Sequence, residues 1–582
     1  MSGIILSVAL CVLLGGCKKS DDPVDPYELR TGEPVEGIRI AWDYSSMQRL
    51  APQGNRVLSW VGYPRVRRLN DGRLMAVYET HGNGELVQSA DDGNTWSEPV
   101  ITFKQHTYTN GRGETTDVNI ANTELIQLQN GDLVMACNYR PAKDEIAPFA
   151  IAVRRSADGG QSWTESHVIY EAGPRFKDGC WEPAFLQLPN GELQVYFANE
   201  NPFLTSDEQN ISMMFSADNG ISWDEEIKTV CFREGRRDGM PVPLLVNDEI
   251  IVAIEDNKIG QFKPYIVRTK VSENWQTPVL GNSPNRESAL KEPLPDAVYA
   301  GAPYLMKLPS GEVILSYQTT SGRSADWERS TLEVAIGDKT GRNFTKLSRP
   351  FAVPLDREAK WNSVSLWDEH TVVAAATTSF RSPNCEVWII RGHVIPELKA
   401  QQATISTDGN LTQTEWENEW PVFIGHRSET NLRAGIRKDG DKLYVGVDVN
   451  DKQLTSDANN LLRADGVYLY LDANNQNLLE PGEGLFRFWC NYKGETKAEK
   501  GDRGQWKAVE VAGAKAVAKT KTDAGYRIEF EIPFAAVQKD KHSDVRINLG
   551  LVDYSQYEGI QEENLANSVS ESSNTWCRVA IQ

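Results

Sequence analysis

The chain has 582 residues, 40% apolar and 24% charged, with a formal net charge of −20. A single hydrophobic core stops growing at roughly 250–300 residues, so this length calls for two or more domains, or a repeat array with an appendage. The acidity excludes nucleic acid and anionic membrane surfaces as main partners, since both need a basic patch, and 45 Gly with 28 Pro exclude collagen-like or wholly disordered chains.

At the N-terminus, the apolar run Ile4 to Leu14 is too short to span a bilayer. It leads into Leu14-Gly15-Gly16-Cys17, which resembles the lipobox of bacterial lipoproteins, although Met1-Ser2-Gly3 lacks the usual basic residue. The resemblance implies a signal peptide over 1–17, acylation of Cys17 and a solvated tether over 18–36. It implies an exported lipoprotein at the outer membrane, on the cell surface or facing the periplasm, touching the membrane only through its lipid. Lys19-Ser20-Asp21-Asp22 resembles the surface-export signals of Bacteroidetes lipoproteins. The alternative is an ordinary signal peptide with an incidental Cys. Beyond Cys17 there are six cysteines and no CxxC pair, which argues against a zinc ribbon. Cys490 and Cys577 share the C-terminal region, and pairing between them stays open at this level.

Two repeats interleave after the tether. The first is Ser-x-Asp-x-Gly-x-x-Trp, at Ser89–Trp96, Ser156–Trp163 and Ser216–Trp223, with a worn copy at Gly337–Phe344. Asp, Asn and Gly supply turn chemistry and the Trp packs beneath the hairpin. This resembles the Asp-box (BNR repeat) of sialidase-like β-propellers, where the box is structural. Three of the 16 Trp are thereby assigned to turns, which weakens abundance of Trp as a sign of sugar stacking.

The second repeat is an apolar strand, a polar turn and another apolar strand. It recurs around Asp71-Gly72, Asn130-Gly131, Asn190-Gly191, Asn247-Asp248, Ser310-Gly311 and Glu369-His370, about every 60 residues. Six hairpins predict an all-β, six-bladed propeller over 37–395, whose closure hides sheet edges.

Counting from each turn places the rim. Glu182 lies nine residues before Gly191, in phase with Tyr63 and Asn122; Glu255 lies seven after Asp248, in phase with Glu79 and Gln318. Both glutamates therefore fall at one rim, on blades three and four, flanked by apolar strand residues. Buried carboxylates are costly unless paired or functional. Structural ion pairs to Arg65 or Arg237 are the plain alternative. The functional reading is glycoside hydrolysis, which needs one protonated and one ionised carboxyl. Tyr63, Arg65, Trp181, Tyr304 and Trp361, near strand starts around the ring, are candidate sugar contacts, with rim packing as the alternative.

The segment Cys180-Trp181-Glu182-Pro183 through Phe197, with Tyr63-Pro64-Arg65, Gly239-Met240-Pro241, Ala253–Asn257 and Leu308–Gly311, resembles glycoside hydrolase family 93 over residues 55–390. The resemblance implies a retaining exo-α-1,5-L-arabinanase, with Glu182 as nucleophile, Glu255 as acid/base, and no metal or cofactor in catalysis. The substrate would be a plant or host glycan. One rival is an exo-α-sialidase, which would need three convergent arginines; Arg65 and Arg381 are the candidates, and Val195–Glu200 supplies none. Another is a surface propeller that binds glycan without cleaving it.

Residues 396–582 open a new pattern. Lys442–Val449, Gly466–Asp472 and Tyr526–Pro533 alternate as strands and predict a β-sandwich. The region resembles the family 9 carbohydrate-binding module, which implies sugar stacking on Trp and allows a structural calcium ion. Trp416, Trp420, Trp489 and Trp506 are the candidate platforms; a spacer or a partner surface is the alternative.

Overall fold

The computed structural model describes residues 37–416, 420–425, 430–521, 524–540 and 543–581. The apolar leader, Cys17 and the tether lie outside these residues. No helix among them is long and apolar enough to cross a membrane.

The chain is all-β, and its first part is a six-bladed propeller. Each hairpin read from sequence forms the inner two strands of a blade. Blade one is Val61–Arg68, Leu74–Thr80, Asn83–Ser89 and Val100–Phe103. Blade two is Thr115–Gln127, Leu133–Pro141, Ala150–Ser156 and His167–Glu171, and blade three is Cys180–Gln187, Leu193–Asn199, Asn210–Ser216 and Lys228–Phe232. Blade four is Asp238–Val246, Glu249–Ile259, Gln261–Lys270 and Arg286–Ser288, and blade five is Ala300–Lys307, Val313–Thr319, Thr331–Gly337 and Thr345–Ser348. Blade six takes Ala359–Leu366, Thr371–Thr378 and Glu386–Ile395 from one end of the ring and Arg39–Ala51 from the other. The innermost strands contact one another around the ring, and the sixth meets the first.

Each sheet is packed on both faces, so second strands such as Leu74–Thr80 and Val313–Thr319 are buried along their whole length. The apolar clusters lie between adjacent blades. The Asp-boxes close the turns from third to fourth strands. In each, the Ser hydroxyl accepts the Gly amide at 2.8 Å and donates to the Asp. The Asp in turn accepts the amide four residues on at 2.9 Å. The worn copy keeps this role for Asp338, and Phe344 replaces the Trp as a buried plug.

Two sheets pack face to face in the C-terminal part as a β-sandwich. One contains Val545–Ser555, Gly466–Asp472, Leu485–Asn491 and Thr496–Asp502; the other contains Asn431–Asp439, Lys442–Asn450, Tyr526–Pro533 and Lys515–Thr520. Leu398 pairs with Val579 directly after blade six ends at Ile395. Ala41 and Ile395 of that blade join the sandwich core, and the Tyr44 amide donates to the Gly425 carbonyl. Cys490 and Cys577 are separate, buried thiols, so the pairing left open by sequence is not made.

Candidate active site

The mouth of the ring is shaped by one device used six times. Tyr63, Asn122, Glu182, Met240, Ala302 and Trp361 occupy equivalent points on the innermost strands, each with positive φ (55°, 53°, 57°, 50°, 49° and 49°). At each, the register with the second strand slips. These are β-bulges, which re-aim a side chain and leave residues unpaired in the ladder. In four blades the next residue is Pro64, Pro183, Pro241 or Pro303, and a bulge is where a strand tolerates a missing N–H. Non-glycine residues in this left-handed region cost of order 1–3 kcal/mol each, and such strain concentrates at functional sites.

The second strands supply what the bulges lack. Glu79, Asn138, Ala198, Glu255, Gln318 and Thr377 pair with Gly62, Ala121, Trp181, Gly239, Gly301 and Lys360. Four of them accept the bulge amide of the following blade. The Asn122 N–H donates to Glu79 Oε2, Ala302 to Glu255 Oε2 at 2.9 Å, Trp361 to Gln318 Oε1 at 2.8 Å and Tyr63 to Thr377 Oγ1 at 3.1 Å. In blade three this position is Ala198, which has no acceptor. Glu182 takes over from its own bulge, its Oε2 accepting the Met240 N–H at 3.1 Å.

The phase count therefore places Glu182 and Glu255 at one mouth, on neighbouring blades. Neither forms an ion pair among the described residues. Arg65 is held by Glu124 at 2.7 Å and Arg237 by Glu200, so the plain alternative of structural ion pairs is not what the structure shows. Each carboxylate spends one oxygen on a backbone amide and keeps the other without a partner among the described residues. Glu255 is cradled by two absent side chains: a Cβ on Gly239 would lie 3.0 Å from its Oε1, and one on Gly301 would lie 2.4 Å from its Oε2 and 2.5 Å from the Tyr299 hydroxyl.

Burial is the main cause of their electrostatics. It pushes Glu182 up to about 8, helped by the Glu255 charge, and Glu255 up to about 7, with the Ala302 amide and Arg237 acting the other way. Two nearby carboxyls that both resist ionisation share a proton near neutral pH. That is the state an acid-and-nucleophile pair requires.

Glu182 lines a cleft of about 580 Å³ with Tyr63, Trp181, Trp361, Glu79 and Arg140. Trp181 and Trp361 are half-buried there, and Tyr63 is a buried wall. Arg65 and Tyr304 depart from the sequence expectation. They are only 3% and 4% exposed and form a floor beneath the mouth. Arg65 binds Glu124, lies 4.1 Å above the Tyr63 ring and 4.6 Å above the Tyr304 ring, while the Tyr304 hydroxyl donates to Glu124 at 3.2 Å. Burial with full pairing makes them a plug, not sugar-stacking surfaces. Below it, a more apolar cavity of about 770 Å³ opens to the other face, lined by Phe185, Leu186, Val242 and Met306. Size favours this lower cavity, but the unpaired carboxylates are all above the plug.

Of the three arginines the sialidase reading requires, Arg65 is part of the floor, paired with Glu124, and Arg381 lies on Tyr44, Phe380 and Trp388 at the outer part of blade six. Sequence reasoning put Glu79 in phase with Glu255, by an equal count from Gly72 and Asp248, but gave it no role in the site. It also passed over Trp327, exposed in the loop after the second strand of blade five, 6.2 Å from Trp361 and over Lys360 at 4.6 Å. That loop carries no periodic signal.

In the sandwich, Trp416 and Trp489 are core residues, 0% and 1% exposed, with indole N–H groups donating to Glu529 and to the Leu461 carbonyl. Trp420 stacks on Trp416. Trp506 is half-buried, donates to Glu571 at 2.7 Å and lies 4.9 Å beneath Arg487, which also covers Tyr468. Of the four, Trp420 and Trp506 keep partial exposure. No group of three or more His, Cys, Asp or Glu side chains gathers as a metal site among the described residues.

Comparisons with known proteins divide the chain in the same two parts. Residues 45–251 match the family model of a BNR repeat-like domain, and residues 408–578 match a carbohydrate family 9 binding domain-like model. A search of curated proteins finds no match. Among solved structures, the chain is similar to a Penicillium chrysogenum α-L-arabinanase complexed with arabinobiose, at 19% identity and TM-score 0.43, covering 62% of this chain and 98% of that one. It is similar to the Fusarium graminearum α-L-arabinofuranosidase with an iminosugar inhibitor, at 16% identity and TM-score 0.42, over 62% and 98%. It is also similar to a family 9 carbohydrate-binding module of Caldicellulosiruptor kristjanssonii in complex with cellotriose, at 16% identity and TM-score 0.27, over 32% and 93%.

Proposed function

We propose that the propeller is an exo-acting, retaining glycoside hydrolase that trims α-1,5-L-arabinan. The observation that carries this reading is the pair Glu182 and Glu255: half-buried, on adjacent blades, each free of ion pairs among the described residues and each with one open oxygen. Glu182 is assigned as nucleophile and Glu255 as acid/base, following the motif resemblance around Trp181-Glu182-Pro183. The pair shares one proton, held in this assignment by Glu255 in the reacting complex while Glu182 is ionised, although Glu182 is the more strongly raised of the two in the empty mouth. Glu255 then gives its proton to the leaving glycosidic oxygen while Glu182 attacks the anomeric carbon. A water molecule, deprotonated by Glu255, cleaves the resulting ester and frees Glu182. The buried floor under the mouth supports end-on recognition, because a glycan entering there meets Arg65 and Tyr304 instead of a through-passage. The sandwich is assigned to holding the same glycan through Trp506, and the whole to the cell envelope by acylation at Cys17.

The test is hydrolysis of linear 1,5-arabinan and of sialyllactose by the full chain, Glu182→Ala and Glu255→Ala. Each variant is expected to lose at least ~10³-fold in kcat on arabinan while staying folded. Sialic acid release without arabino-oligosaccharides would overturn the arabinan assignment in favour of a sialidase. Absence of any turnover, with glycan binding intact in both variants, would point to a binding propeller.

A further inference from the structure

A third glutamate repeats the arrangement of Glu255. Glu79 follows its turn by the same count and faces Gly62 as Glu255 faces Gly239. Its Oε2 accepts the bulge amide of the next blade, from Asn122, as Glu255 accepts that of Ala302. Blades one and four are opposite members of a six-membered ring, so Glu79 and Glu255 look at the mouth from opposite sides with Glu182 beside Glu255. Glu79 is 8% exposed, and its second oxygen has no partner among the described residues. It lines the same cleft as Glu182.

The surroundings of that oxygen are those of a sugar site. Arg140 lines the cleft, is exposed, forms no ion pair among the described residues and lies 5.5 Å from the centre of the Trp181 ring. His81, Asn122 and Tyr63 complete the wall. An open carboxylate oxygen and a free guanidinium on one wall match adjacent sugar hydroxyls, one donating and one accepting, through charge-assisted hydrogen bonds. The floor pair, Arg65 with Glu124, shows the contrast: those charges satisfy each other and leave nothing for a ligand. Burial also pushes Glu79 up to about 7, so it is not held ionised by a structural partner.

We propose that Glu79, with Arg140, is a substrate-contacting residue that reads the ring hydroxyls of the terminal sugar from the side of the mouth opposite Glu255. The inference rests on the hydrolase reading for its substrate but not on the identity of the glycan. In the full chain, Glu79→Gln preserves size and an acceptor for the Asn122 amide while removing the charge. The variant is compared with wild type on whichever of linear 1,5-arabinan and sialyllactose wild type turns over. The expected result is a rise in KM of at least ~10-fold, with kcat within about threefold and an unchanged melting temperature. Unchanged KM and kcat would overturn the proposal while leaving the roles of Glu182 and Glu255 intact. Should wild type turn over neither glycan, the hydrolase reading fails by itself. The comparison then moves to retardation of the two proteins in native gels containing arabinan, where equal retardation overturns the role of Glu79 and loss of retardation in the variant supports it.

Discussion

The carboxylates of the Asp-boxes and those of the mouth recur with the same blade period, yet they have opposite fates. Asp91 and Asp158 are exposed and held well below the usual range by the hydroxyl and amide of Thr95 and of Ser162. Each uses both oxygens to close a turn. Glu182 and Glu255 receive one backbone amide apiece, are half-buried, and are raised. A repeated acid that is fully bonded is scaffold. One that is half-buried, raised and left half-bonded is not needed to close a turn.

Three substitutions break or sharpen this contrast. The largest effect is expected at Gly301. A methyl group there cannot coexist with the Glu255 Oε2 and Tyr299 hydroxyl positions, so Gly301→Ala should lower kcat/KM by about 10²-fold through misplacement alone. Retained thermal stability alongside wild-type kcat/KM would show that the cradle does not set Glu255. The second concerns stability. Unfolded, Glu255 releases its proton near the ordinary carboxylate range; folded, it holds the proton to about 7. Raising pH through that window therefore favours the unfolded chain. Glu255→Gln should be more stable than wild type at pH 8, by on the order of 1–3 kcal/mol, with the gain vanishing toward pH 4. Urea denaturation at both pH values reads this directly, and a gain that grew on acidification would contradict the raised pKa. The smallest effect belongs to the scaffold: Asp158→Ala should lower the melting temperature by a few degrees and leave kcat/KM unchanged, and a loss of activity without loss of stability would place the box in the site.

Much of this organisation is legible in the residues. Turn residues bracketed by apolar runs gave six hairpins at the right places, and counting from them put Glu182 and Glu255 on one rim. The same counting misplaced Arg65 and Tyr304 for a physical reason. Each follows a bulge by two residues, and the extra residue shifts the alternation, turning the side chain from the mouth into the plug. Their partner Glu124 is remote in sequence from Tyr304, and no local pattern announces the pairing. Trp327 escaped because an irregular loop has no period to read. Likewise the sandwich tryptophans differ only in burial: the chain does not distinguish Trp416, shut in the core, from Trp506, half-buried beneath Arg487.

The join in blade six sets an order of events during synthesis. Arg39–Ala51 is made first, but the strand it pairs with, Glu386–Ile395, is made after every other blade. Until then this early strand has no partner in its own sheet, and blade one has no neighbour on its open flank. The ring therefore locks only once its last blade has emerged. Truncation before Ala359 leaves an unclosed array, and truncation before Glu386 leaves Arg39–Ala51 as an unpaired edge, the kind of species that aggregates or is degraded. Closure of the mouth, with all six bulges around it, therefore depends on the last blade to be made.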